Sequence, residues 1–190
     1  MKIDVRYFIL YKFTNSLFTG LSIGSVFTLY SPLPQTVFSL GGILLAVGMM
    51  IVAKFYERII NISYFFFFSM LVEVVMLLLI SVFIIKPYEY YTALIIYSGY
   101  QITFLFGNYL LRSETLFLRK LKLLSKLDIY KQAGYLSGMG LSFLFYKWLE
   151  FSFGITDNRQ LVYILHFLLL AIQIMVILLV LRAFRVLRFF

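Results

Sequence analysis

Six long apolar runs separated by short polar breaks take up almost all of the chain: 7–30, 36–56, 63–85, 90–111, 129–151 and 161–184. Each has the length a helix needs to cross a bilayer. The pattern therefore predicts an all-α integral membrane protein with six transmembrane helices in one domain, 1–190. The clearest stretch, YFFFFSMLVEVVMLLLISVFII at 64–85, is apolar on every face. As a helix rising about 1.5 Å per residue it measures roughly 33 Å, against roughly 30 Å of hydrocarbon. A core helix of a water-soluble protein would keep a polar face, and this one has none. The breaks at 31–35 (SPLPQ), 86–90 (KPYEY) and 155–160 (ITDNRQ) hold turn-forming residues, and Pro32, Pro34 and Pro87 are confined to them. The N-terminus, the link 54–61, the long link 112–128 and the tail 182–190 fall on the opposite side. The opening MKIDVRYFILYKF lacks a small-residue cleavage site after its apolar stretch, which predicts the inner flank of a retained first helix rather than a removable signal peptide.

Charge orients these runs. Lys2, Arg6, Lys12, Lys54, Arg58, Arg112, Arg119, Lys120, Lys122, Lys126, Lys131, Arg182, Arg185 and Arg188 belong to one side, against Lys86, Lys147 and Arg159 on the other. Basic residues beside membrane ends stay on the cytoplasmic side, so both termini are expected there, in a multi-pass protein of the inner (cytoplasmic) membrane. The net charge of +9 is then a match for anionic headgroups of the lipid bilayer, and no nucleic-acid partner is needed to explain it. The link RSETLFLRKLKLLSKLD interleaves Leu116, Leu121, Leu123, Leu124 and Leu127 with Arg119, Lys120, Lys122 and Lys126. It reads either as an amphipathic helix lying in the headgroup layer or as a plain basic connector, with Asp128 placed to cap the fifth helix.

Composition narrows the chemistry. The chain is 63% apolar and 13% charged, with a mean hydropathy of +0.96 and no cysteine. Disulfides, thiolate metal sites and thiol nucleophiles are thereby excluded, and His166 alone makes no metal cluster. The motifs HExxH and GxxxxGK[ST] are absent, and the one match to GxSxG, GLSIG at 20–24, lies inside the first apolar run rather than on a strand-to-helix turn, so no catalytic residue, metal ligand or cofactor site is expected, and the chain is not read as an enzyme. An intramembrane serine protease would need a serine in a Gly-x-Ser frame with a histidine partner; Ser22 and Ser142 stand in such a frame, but Ser137 stands in Leu-Ser-Gly and the one histidine, His166, follows Leu165 in a context that does not fit. His166 reads as a hydrogen-bonded interface residue.

Polar groups inside the runs carry the candidate function. Glu73 lies at the centre of the third run, where a lone carboxylate costs on the order of several kcal/mol unless protonated, paired or facing water. It is either a functional acid or a protonated hydrogen-bonding clasp between helices. Lys12, Asn15, Thr19 and Ser22 form one stripe on the first run, and Tyr97, Gln101, Phe104 and Asn108 form another on the fourth, with Tyr100 beside it. In the fifth, Gln132, Tyr135, Met139, Ser142 and Tyr146 share a face. Counting depth brings Thr19, Ser22, Glu73, Gln101 and Gln173 to a similar level, with Gln101 and Thr19 as the expected partners of Glu73. The candidate substrate or ion path is thus Asn15, Thr19, Ser22, Glu73, Tyr97, Tyr100, Gln101, Asn108 and Gln173. Gly20 with Gly24 and Gly134 with Gly138 make small-xxx-small faces that let another backbone approach closely, and they point to self-association.

The layout of six runs, with a short basic link after the second and a long one after the fourth, resembles the N-terminal half of a major facilitator superfamily transporter. The stretch SKLDIYKQAGYLSGMGLSFLFY at 125–146 is similar to that family's fifth helix, where a basic link runs into a Gly-rich face. Of the family's loop pattern GxxxDRxGRR the chain keeps Gly48 and AKFYER at 53–58, with lysine in place of the acid and without the later glycine. The resemblance implies two pseudo-symmetric three-helix units, with the first and fourth helices lining a path. It also implies a homodimer or pairing with another half-transporter, since a full member has twelve spans. The expected function is a transporter or half-transporter moving a small solute, with Glu73 as proton or cation site. A solute-binding subunit of a larger transport complex and a non-transporting membrane scaffold are the alternatives.

Overall fold

The computed structural model describes residues 1–185; Arg188 of the basic tail lies outside the described residues. The chain is all-α and 88% helical. In order it forms α1 (Val5–Ser22), a 3-10 turn (Ile23–Ser25), α2 (Val26–Tyr30), α3 (Gln35–Lys54), α4 (Tyr56–Ile59), α5 (Ile62–Ile85), α6 (Tyr90–Leu105), α7 (Gly107–Leu118), α8 (Leu121–Phe153) and α9 (Asn158–Ala183). Polar residues just outside the apolar runs start the helices, because their side chains accept from otherwise orphaned backbone N–H groups. Asp4 accepts from Arg6 N at 3.1 Å, Asn61 from Ser63 N and Tyr64 N at 3.1 and 3.0 Å, and Asp157 from Gln160 N at 3.2 Å. Gly154, at φ 66°, ends α8 in the left-handed conformation that glycine adopts without penalty.

Among the described residues, three helices are long and apolar enough to cross a membrane: α3, α5 and α9, with mean hydropathy 2.2, 2.8 and 2.9. The remaining apolar runs are helical with breaks or extensions. The first is interrupted by the 3-10 turn at Ile23–Ser25 and the fourth at Phe106, while the fifth is absorbed into the 33-residue α8. The link 112–128 is accordingly no separate surface helix. α7 runs on to Leu118, the chain reverses at Arg119 (φ 47°), and α8 has begun by Leu121. Asp128 lies inside α8, its side chain 70% exposed, and caps nothing. The leucines do not share one lipid-facing side either. Leu118 and Leu127 are buried in the core with Phe8, Phe65 and Val180, and Leu123 and Leu124 pack against it, while Leu121 is 83% exposed.

The long helices pack in the order α8, α1, α9, α5, α6, α3. Exchanging the first three runs with the last three (α1 with α6, α3 with α8, α5 with α9) turns this order into its own reverse. α5 and α9 form the middle of the bundle, and α8 and α3 its edges. The two chain ends meet: Lys2–Ile3 pairs antiparallel with Phe184–Arg185, and Asp4 N donates to Ala183 O at 2.8 Å. The start of α1 and the end of α9 therefore lie on the same side of the bundle, beside the Phe8, Phe65 and Phe184 rings.

Backbones touch at the α1–α8 contact. A methyl added at Gly134, Gly138 or Gly20 would be driven into the Phe13, Leu17 or Tyr135 carbonyl respectively, whereas Gly24 faces open space. Gly20, Gly134 and Gly138 are thus matched to each other within one chain, and these three are spent on that contact rather than on self-association.

Candidate functional site

α1, α5 and α9 converge on Glu73, which is 1% exposed. The Tyr11 hydroxyl and the Asn15 amide both donate to Oε1 at 2.9 Å. The Gln173 amide donates to Oε2 at 2.8 Å and to the Glu73 backbone oxygen at 2.9 Å. Three side-chain donors around one carboxyl suit its charged form. Gln173 Oε1 and Ser69 Oγ are buried without a partner. A half-turn of the Gln173 amide would present Oε1 in place of Nε2, so the same side chain can also accept a hydrogen bond from the neutral acid.

Depth alone pointed to Thr19 and Gln101 as partners of Glu73, and neither bonds to it. The Thr19 hydroxyl donates back to Asn15 O at 3.1 Å within its own helix, and Gln101 Oε1 is buried without a partner. Tyr11 was not among the expected residues. It stands one turn before Asn15, so the i, i+4 spacing stacks phenol and amide on the face toward α5.

Asn15 also lines a cleft of about 390 Å³ with Thr19 and Ser22 of α1, Met76 of α5 and Tyr100 and Thr103 of α6. Glu73 and Gln173 lie behind Asn15, outside the lining. Tyr97, Gln101 and Asn108 are elsewhere. The Tyr97 ring covers Gly41 of α3 and its hydroxyl donates to Phe38 O at 3.1 Å. Asn108 opens onto a different hollow, between α7 and the end of α3. The cleft face of the fourth run passes through Tyr100, Thr103, Phe104 and Gly107, so of the expected stripe Phe104 reaches the cleft and Tyr97, Gln101 and Asn108 do not. One residue of offset is a rotation of about 100° on a helix, enough to turn a stripe from one neighbour to the next.

A second polar centre lies toward the end that carries both termini. Glu114 of α7, 2% exposed, is gripped by Lys12 Nζ at 2.9 Å and by Lys131 Nζ of α8, which also lies 3.4 Å from Asp128. Burial opposes ionisation of Glu114, yet the Lys12 and Lys131 cations hold its carboxyl below the ordinary value. Lys12 further sits over the Phe8 and Tyr11 rings, 5.5 and 5.2 Å from their centroids. Tyr11 thus touches both centres. Glu114 sits in the basic link and does not stand out among its Lys and Arg neighbours, although Lys12 on the polar stripe calls for an acid. His166, buried, has Nδ1 2.7 Å from Val162 O and its ring against Phe83. Among the described residues no three or more His, Asp or Glu side chains are grouped to hold a metal ion.

Comparison with known proteins adds no relative: no protein-family model, no curated protein and no solved structure matches the chain.

Proposed function

We propose that the chain is a membrane transporter subunit, a half-transporter that moves a small solute and couples it to a proton or cation through Glu73. The position of Asn15 carries this reading. Its side chain stands in the cleft wall while its amide donates to Glu73 at 2.9 Å, which leaves a solute or water in the cleft one side chain from an ionisable group. The packing order that reverses on exchange of the two halves supports the resemblance to the major facilitator superfamily, as does the cleft wall drawn from the first and fourth runs. In this reading all six runs span the inner membrane with both termini in the cytoplasm. The path is completed by a second copy or by another half-transporter.

One observation favours a second reading. Glu73 is 1% exposed and is met by three side-chain donors, Tyr11, Asn15 and Gln173, as a polar clasp in a non-transporting scaffold would be. Glu73→Gln separates the two, because it keeps size and hydrogen bonding but cannot titrate. A set of small solutes is screened in proteoliposomes at two pH values for thermal stabilisation and uptake. For the transporter, a solute shows pH-dependent uptake in the parent and pH-independent binding without coupled uptake in Glu73→Gln. Identical behaviour of parent and variant reduces Glu73 to a clasp.

A further inference from the structure

The hollow that receives Asn108 has no place in the solute path. It measures about 600 Å³ and lies between the end of α3, α4 and the outer face of α7. Four polar side chains line it: Tyr56, Asn108, Arg112 and Thr115. The last three recur at i, i+4 and i+7, so they stand on one face of α7. Each can donate, and no Asp or Glu lines the hollow. Arg112 has no ion pair among the described residues, in contrast to Lys12 and Lys131, which are held by Glu114 on the far side of the same helix. The Tyr56 hydroxyl and the Asn108 amide likewise carry no hydrogen bond to the chain, while Thr115 donates to Leu111 O at 3.0 Å. A guanidinium with a neighbouring amide and phenol is a donor set for a phosphate.

The rest of the lining is Ala53, Leu111 and Leu116, and the two leucines are 58% and 42% exposed. A free phosphate ion would leave that apolar half in contact with nothing. A ligand carrying both a phosphate and hydrocarbon fills both halves. Lys54, Glu57 and Arg58 flank the site in sequence and leave a net positive field at this end of the bundle.

We propose that this hollow holds the headgroup of an anionic phospholipid, its phosphate on Arg112, Asn108 and Tyr56 and its acyl chains along Leu111 and Leu116. The site rests on the membrane placement of the chain and not on transport. It ties α7 to the end of α3 through a lipid where the protein itself makes few contacts.

The test uses the full chain in detergent, titrated with short-chain phosphatidylglycerol, with phosphatidylcholine of the same chains and with inorganic phosphate, followed by native mass spectrometry and thermal stabilisation. Phosphatidylglycerol should bind more tightly than phosphatidylcholine, and inorganic phosphate at equal concentration should not stabilise. Arg112→Gln should weaken phosphatidylglycerol about fivefold, the scale for one basic residue at a lipid surface, while Lys122→Gln, an exposed cation outside the hollow, should change it less than twofold. Tyr56→Phe should weaken it by a smaller factor than Arg112→Gln. Three results would overturn the proposal: equal effects of Arg112→Gln and Lys122→Gln, no preference for phosphatidylglycerol, or inorganic phosphate stabilising as well as the lipid.

Discussion

α8 and α3 occupy matching edges of the bundle, α8 against α1 and α3 against α6, but they are held by different means. On the α8 side Gly20, Gly134 and Gly138 bring backbone onto backbone, and Glu114 with Lys12 and Lys131 ties α1, α7 and α8 together. On the α3 side the contacts run through side chains: the Tyr97 ring over Gly41, Leu105 over Gly48, and one hydrogen bond from Tyr97 to Phe38 O at 3.1 Å. No residue of α3 is fully buried. Between lipid-solvated helices there is little hydrophobic drive, so close packing and polar contacts decide how firmly a helix is seated. A symmetric order of helices therefore contains one fixed edge and one loosely seated edge.

The largest effect is expected at the ion cluster. Glu114→Ala leaves Lys12 without its partner and Lys131 with only the exposed Asp128, and should cost about 3–5 kcal/mol, read as lost stability in denaturant titration of the micellar protein. The acid limb carries the same information. Because the folded carboxyl lies below its ordinary value, its contribution is complete above about pH 4.3 and fades as pH falls through the lower folded value. Glu114→Gln should flatten that part of the pH profile, and an unchanged profile would assign the acid limb to other groups.

Next comes Gly138→Leu, whose side chain has no space against the Leu17 carbonyl and should cost about 1–3 kcal/mol or prevent α8 from seating. Crosslinking of cysteines introduced at Phe13 and Tyr130, whose rings lie 6.5 Å apart, should weaken with it. The smallest change is expected on the other edge. Tyr97→Phe removes one interhelical hydrogen bond, worth about 0.6 kcal/mol in membrane proteins. If Tyr97→Phe destabilises the protein as much as Gly138→Leu, the two edges are equally firm and the contrast fails.

What the sequence showed depended on how unusual a residue is in its surroundings. The runs at 36–56, 63–85 and 161–184 correspond to α3, α5 and α9 within a few residues, because they are apolar on all faces and end in caps or turn formers. Glu73 stood out as the one acid in such a run, and Asn15 and Gln173 were found with it. Tyr11 did not stand out, since in a chain that is 20% aromatic a phenol counts as one more apolar residue until its hydroxyl is seen to have a partner. Glu114 was hidden by the basic residues around it, and Asp128 imitated a cap at a point where α8 had already completed two turns. The glycine faces were legible as close contacts, but local sequence does not say whether the facing helix belongs to the same chain.

The 3-10 turn at Ile23–Ser25 gives the loosely seated edge a hold on the cleft. Tighter than the helix on either side, with Gly24 facing open space, it is where the first run can flex as a hinge. Beyond it, α2 carries Tyr30, whose ring meets Tyr97 at 5.6 Å, Phe38 at 6.1 Å and Tyr100 at 6.3 Å. Tyr30 and Tyr100 both line the cleft, and Phe38 rides on α3. An outward swing of α3 would take away part of what Tyr30 leans on, and a bend at the 3-10 turn would carry that loss into the cleft wall.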